Sequence, residues 1–284
     1  MVNPVSRPIA IAVAPNGARK THVDHPALPI TPDELAACAR QCVEAGAAML
    51  HLHVRRPDGT HSLEPDDYRP AIATVQRAVG DALVLQITTE AVGIYTPEQQ
   101  MASVRALQPE AISAALRELV PDAAHEAEAA RFFGELAAAR TAIQYILYSA
   151  DDVVRYRDLR ARGVLPPPSD MPHWVLFVLG RYSAGQRSDP SDLLPFLQAW
   201  AEGGEITANV PWAMCAFGPR EAECALTAAL LGGHARLGFE NNMMLPDGST
   251  APNNAALVTN LRGHLDALHR PLASAAELRS WFGR

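Results

Sequence analysis

TPDELAACARQCVEAGAAMLHLHV, residues 31–54, reads as one helix feeding one buried strand. Thr31 places a hydroxyl at the N-cap and Pro32 presets φ at the first helical position, so a helix is predicted over 31–46. AAMLHLHV (47–54) is then a short apolar run rather than a strict alternation of apolar and polar residues. A strand buried on both faces, as in a parallel sheet, has that character.

The same unit recurs in both directions. PIAIAVAP (8–15) is a strand before the helix at 31–46, and a helix over 65–80 follows the strand at 47–54. Further strand–helix pairs are predicted at 83–90 with 96–108, 110–116 with 123–140, and 142–149 with 151–163. Three more follow at 173–180 with 189–203, 212–218 with 219–233, and 235–241 with 252–269. TPEQQ at 96–100 repeats the Thr-Pro start. Eight βα pairs in one chain predict a TIM (β/α)8 barrel, a single domain spanning residues 1–284. A doubly wound open sheet is the alternative, but its glycine fingerprint is missing. LPPPSDMP (165–172) is too short for a domain linker and reads as the loop before the sixth strand.

Composition narrows the functional classes. Apolar residues make up 48% and charged residues 19% of the 284, enough apolar material for a large core. A net charge of −7 argues against nucleic acid and anionic membranes as partners. No apolar stretch approaches the roughly 20 residues that span a bilayer. MVNPVSRPIA carries no signal-peptide core, so a cytoplasmic protein is expected. Cys38, Cys42, Cys215 and Cys224 form no CxxC pair and read as small core residues in a reducing compartment. Lys20 is the single lysine, so any Schiff-base or P-loop mechanism has one candidate, and it lies in a loop.

Chemistry concentrates at strand ends. Side chains two apart in a strand share a face, so His51 and His53 project together. They form either a metal-binding pair or two polar residues closing a strand. In a barrel of this kind reactive groups sit at the C-terminal strand ends, where these histidines lie. Glu240, in GFENN, ends the eighth strand and comes beside the first on closure. Two histidines and a carboxylate would leave open positions on a catalytic zinc, whereas Glu240 pairing with Arg236 is the plainer reading. Asn16, Thr88, Thr89, Glu90 and Ser113 also fall at the mouth, each able to serve simply as a loop hydrogen-bonder. His173 and His234 begin strands and belong to the opposite face, while His125, His264 and His269 are expected in solvent.

APNGAR, HLHVR with its following DG, QITTEA, FVLGRY, CAFG and GGHARLGFENN together resemble the β-keto acid cleavage enzymes. The resemblance runs from Pro8 to about Ala276. It implies a zinc-dependent TIM barrel that condenses a β-keto acid with acetyl-CoA, giving acetoacetate and a new acyl-CoA. It further implies a homo-oligomer, expected to be a tetramer. By position, His51, His53 and Glu240 would hold zinc and Arg236 would stabilise anionic oxygens. Thr88 stands where the type member, 3-keto-5-aminohexanoate cleavage enzyme, has a serine.

Two positions depart from that pattern. Arg19 replaces a glutamate, which favours a substrate carrying a second anion or an uncharged polar tail over an amino-bearing one. Its alternative is to turn outward and pair with Asp24. Asn241 replaces an aspartate, and an amide cannot take a proton at neutral pH. Glu90 is then the candidate base, with Asn16, Ser113 and Arg19 toward the substrate. A metal-containing barrel that binds a small organic acid without turning it over is the rival reading. Amidohydrolases are excluded, because the fifth and sixth strands here end without histidine.

Overall fold

The computed structural model describes residues 7–284; residues 1–6, part of the N-terminal stretch considered above, lie outside the described residues. In chain order the elements are β1 (Ile11–Val13), α1 (Pro32–Ala45), β2 (Met49–Leu52), β3 (Val54–Arg55), β4 (His61–Ser62) and α2 (Pro65–Val79). Then come β5 (Val84–Ile87), α3 (Pro97–Leu107), β6 (Ala111–Ala115), α4 (Leu116–Leu119), α5 (Glu126–Ala138), β7 (Ala142–Leu147) and α6 (Ala150–Ala161). The chain continues with β8 (Trp174–Leu179), α7 (Leu194–Ala201), β9 (Trp212–Ala216), α8 (Glu221–Leu230), β10 (His234–Leu237), α9 (Asn254–Ala267) and α10 (Ala275–Trp281).

Eight strands close a parallel barrel in the order β1-β10-β9-β8-β7-β6-β5-β2, which is the expected (β/α)8 architecture. Its strands read as unbroken apolar runs because both faces are covered. In β2, Leu50 and Leu52 pack outward against the helices, and Met49 packs inward with Ala12, Val84 and Trp174. His51 therefore shares the inward parity of Met49.

Helix starts follow the local chemistry. Thr31 and Thr96 each form a capping box, with Glu34 and Gln99 respectively, and each is followed by proline. The predicted strand at 47–54 is broken at His53, and Val54–Arg55 turns back to pair antiparallel with His61–Ser62. The Pro-Asp-Gly turn drives this hairpin: Gly59 takes φ +83°, and Asp58 accepts the Thr60 amide at 2.9 Å. α10 has no counterpart in the sequence reading. Capped by Ser274 with Glu277, it plugs the N-terminal end of the barrel, where Phe282 meets Trp174 and Trp281 stacks on His234.

Candidate active site

Register carries the first contact. His51 lies opposite Gln86 across the β2–β5 pairing. Its Nδ1 sits 2.8 Å from Gln86 Oε1. Gln86 cannot flip freely, because its Nε2 donates to Gln144 Oε1 at 3.2 Å and to the Ile112 carbonyl at 3.4 Å. Oε1 is thus the atom presented to the imidazole, and His51 carries its proton on Nδ1. The Nε2 lone pair points into the barrel mouth. Burial and the neighbouring Arg236 push the His51 pKa down to about 3, which keeps the ring neutral.

His51 Nε2 and His53 Nε2 are 3.1 Å apart. Glu240 Oε2 stands 3.2 Å from His53 Nε2 and 3.7 Å from His51 Nε2. A tetrahedral ion with bonds of about 2.0–2.1 Å spaces its ligand atoms at about 3.3–3.4 Å, and the triangle brackets that edge. Glu240 Oε2 is buried without a hydrogen-bond partner. Among the described residues this trio is the one cluster of three His, Cys, Asp or Glu side chains that could hold a metal ion. The donor set fits zinc.

Both readings of Glu240 hold together, one on each oxygen. Oε1 accepts from Arg236 Nη2 at 2.8 Å, which leaves Oε2 to the histidines. Burial raises the Glu240 carboxyl, but Arg236 and the two imidazoles hold it well below the usual carboxylate range. Arg236 also donates to Asn241 Oδ1 at 3.2 Å. Asn241 in turn donates through Nδ2 to Glu221 Oε1 at 3.2 Å.

The backbone beneath these three side chains is clamped from several sides. Lys20 Nζ donates to the Phe239 and Glu240 carbonyls at 2.6 and 3.1 Å. Asn16 Nδ2 donates to the His53 carbonyl at 3.2 Å. Gly17 must be glycine twice over, since it takes φ +60° and a Cβ there would lie 2.6 Å from Glu240 Cγ.

These groups open onto a small pocket whose wall includes His51, His53, Thr88, Glu90, Tyr148, Arg181, Phe217, Arg236 and Glu240. Thr88 Oγ1 accepts the Glu90 amide at 3.0 Å. Glu90 pairs with Arg181 at 3.3 Å and brings Oε2 to 4.0 Å from His53 Nδ1. Ser113 lies deeper, its Oγ buried and unpartnered. A larger cavity opens at the opposite end beside His173, His234 and Trp281, remote from His51, His53 and Glu240.

Several expected site residues stand elsewhere than expected. Arg19 is exposed, is absent from the pocket wall, and forms no ion pair with Asp24, whose carboxylate instead accepts the Thr21 amide at 2.7 Å. The turn at Gly17 carries Arg19 outward and Lys20 inward. Arg181 is the guanidinium on the wall beside Glu90. Asn241 lies behind Arg236 rather than on the wall. Sequence reasoning weighed Lys20 only as a Schiff-base or P-loop lysine, and passed over Gln86, Arg181, Glu221 and His61, whose ring lies 5.4 Å from that of His53. Gln86 left a signal, a lone amide in the apolar run LVLQI.

The family model described as beta-keto acid cleavage enzyme matches residues 8–283. The chain belongs to that family. Among relatives of this β-keto acid cleavage family member, the 3-keto-5-aminohexanoate cleavage enzyme of Acetoanaerobium sticklandii is 26% identical, over 97% of this chain and 98% of its own length. The 3-oxoadipate:acetyl-CoA acetyltransferase of Cupriavidus necator is 27% identical, over 98% of this chain and 96% of its own. In fold, the family member superposes on apo ObcA with a TM-score of 0.70 at 18% identity, covering 91% of this chain and 66% of ObcA.

Proposed function

We propose that this family member is a zinc-dependent acyl-exchange enzyme acting on a β-keto acid and acetyl-CoA. The overall balance is R–CO–CH2–COO⁻ plus acetyl-CoA giving acetoacetate plus R–CO–CoA. The carboxymethyl unit leaves one acyl group and joins the acetyl group, and the CoA thiol takes up the acyl group left behind. The observation that carries this reading is the trio His51, His53 and Glu240, spaced for a tetrahedral ion with one carboxylate oxygen left unpartnered. These residues would hold the ion, which when bound supplies a Lewis acid for the keto and carboxylate oxygens of the substrate.

The protein's own groups divide the remaining work. Arg236 is buried at the pocket wall and offers guanidinium donors to developing negative charge on substrate oxygen. Glu90 lines the pocket, and this reading assigns it the α-proton. Thr88 supplies a hydroxyl on the same wall. Arg181, also on the wall, favours a substrate whose tail carries a second anion over one bearing an amine.

Zinc-loaded protein incubated with acetyl-CoA and a panel of β-keto acids should form acetoacetate with at least one of them. Glu240→Ala should abolish this. If no substrate yields acetoacetate while acids still bind, the protein is a non-catalytic small-acid binder instead.

A further inference from the structure

Glu221 begins α8 and is 1% exposed. Its carboxyl forms no ion pair within 4 Å among the described residues, an expensive state for a buried acid. What it has is donors. The Gly238 amide and Asn241 Nδ2 each reach Oε1 at 3.2 Å, and Asn242 Nδ2 reaches Oε2 at 3.4 Å. None of these partners can accept a proton, so they favour the ionised form, while burial opposes them and pushes the carboxyl up to about 8; the carboxylate is fully formed above that pH. All three belong to the turn that carries Glu240.

Asn241 links this carboxylate to the pocket. Its Oδ1 accepts from Arg236 and its Nδ2 donates to Glu221, so guanidinium, amide and carboxylate stand in line. A flipped amide would face NH2 to the guanidinium and oxygen to the carboxylate, two repulsive contacts. Only one orientation of the amide satisfies both ends. Asn241 Nδ2 also donates to the Arg236 carbonyl at 3.2 Å, a second contact the flip would lose. Arg236 is thereby held with its Nη2 committed to Glu240 and Asn241.

We infer that Glu221 is a positioning residue: it supplies, through the Asn241 amide, the negative charge that orients Arg236 in the pocket. It does not touch the pocket, since Asn241 and Arg236 stand between. The carboxylate could equally stand at position 241, in direct contact with the guanidinium, provided that position 221 became an amide. The pair is therefore a swappable charge, and that is the feature to test.

The inference rests on the proposed acyl exchange for its kinetic readout but not for its structural one. Four proteins suffice, all compared above pH 8 where the carboxylate is formed: the wild type, Glu221→Gln, Asn241→Asp, and the double variant. Glu221→Gln should lower kcat at least tenfold with KM changed less than threefold, and should lower the Tm of metal-free protein. Asn241→Asp should also lose both, because it sets two carboxyl groups in contact. The double variant, which restores one carboxylate and one amide, should recover kcat to within threefold of wild type and regain most of the lost Tm. If Glu221→Gln cannot be recovered folded, addition of Asn241→Asp should restore folded protein. Losses that simply add in the double variant would overturn the inference, as would a Glu221→Gln enzyme that loses Tm but keeps full kcat. Should the β-keto acid panel give no turnover, the Tm cycle in metal-free protein still decides, so failure of the proposed function and failure of this inference are read separately.

Discussion

Replacing Gln86 with methionine removes the amide that selects the His51 tautomer while keeping side-chain length. In the native protein the Nδ1 proton is donated at 2.8 Å to Gln86 Oε1, which frees Nε2 for an ion. Without that acceptor the buried Nδ1–H is unsatisfied, at a cost of about 1–3 kcal/mol. The ring can relieve the cost by moving its proton to Nε2, which faces Glu240 Oε2 3.7 Å away. That tautomer has no lone pair for the metal. Loss of a partner behind a metal-ligating histidine typically lowers affinity about 10–100-fold, or about 1.4–2.7 kcal/mol, in agreement with the hydrogen-bond figure. Competitive zinc titration against a chromogenic chelator should therefore show at least a tenfold weaker site in Gln86→Met. An affinity within threefold of wild type would refute the reasoning, because it would mean that Gln86 does not set the tautomer.

Arg181→Ala should lower kcat/KM at least tenfold, about 1.4 kcal/mol, for dianionic β-keto acids and much less for uncharged-tail ones; equal losses would remove Arg181 from specificity. At the other end of the barrel, His173 and His234 are pushed by burial to about 4 from an ordinary 6.5. The unfolded chain then binds more protons between these values, so stability falls as pH drops from 6.5 toward 4. Each histidine contributes about 1.4 kcal/mol per pH unit in that window. Glu221, raised by burial to about 8, acts in the opposite sense between its unfolded value and 8. His234→Asn keeps an acceptor for the Ala10 amide, donated to Nδ1 at 3.1 Å, and should flatten the slope of denaturant-measured stability against pH by about one histidine's share. An unchanged slope would show that His234 does not titrate on unfolding.

Much of this protein is readable from its sequence because its signals are local. The Thr-Pro helix starts at 31 and 96 announce themselves through capping residues three positions apart, and strands covered on both faces appear as unbroken apolar runs. His51 and His53 were legible for the same reason, since their shared face follows from a period of two. Glu240 needed only the closure of the barrel. What escaped depends on contacts between distant segments. Gln86 matters because the β2–β5 register sets it opposite His51, and Lys20 because the turn at Gly17 aims it at the carbonyls of residues 239 and 240. Glu221 stands in the first turn of α8, and only the packing of α8 against the loop after β10 brings it to Asn241. Arg19 and Lys20 are neighbours in sequence, and only the backbone at Gly17 decides which of them turns inward.

The most direct measurement follows the carbon. Zinc-loaded protein is given [1-13C]acetyl-CoA and the β-keto acids of the panel, and the products are read by 13C NMR. The account predicts acetoacetate labelled at C3, with an equal amount of unlabelled acyl-CoA carrying the substrate's own tail. A methyl ketone and carbon dioxide in place of a new acyl-CoA, or label that never leaves acetyl-CoA with any substrate, would contradict it.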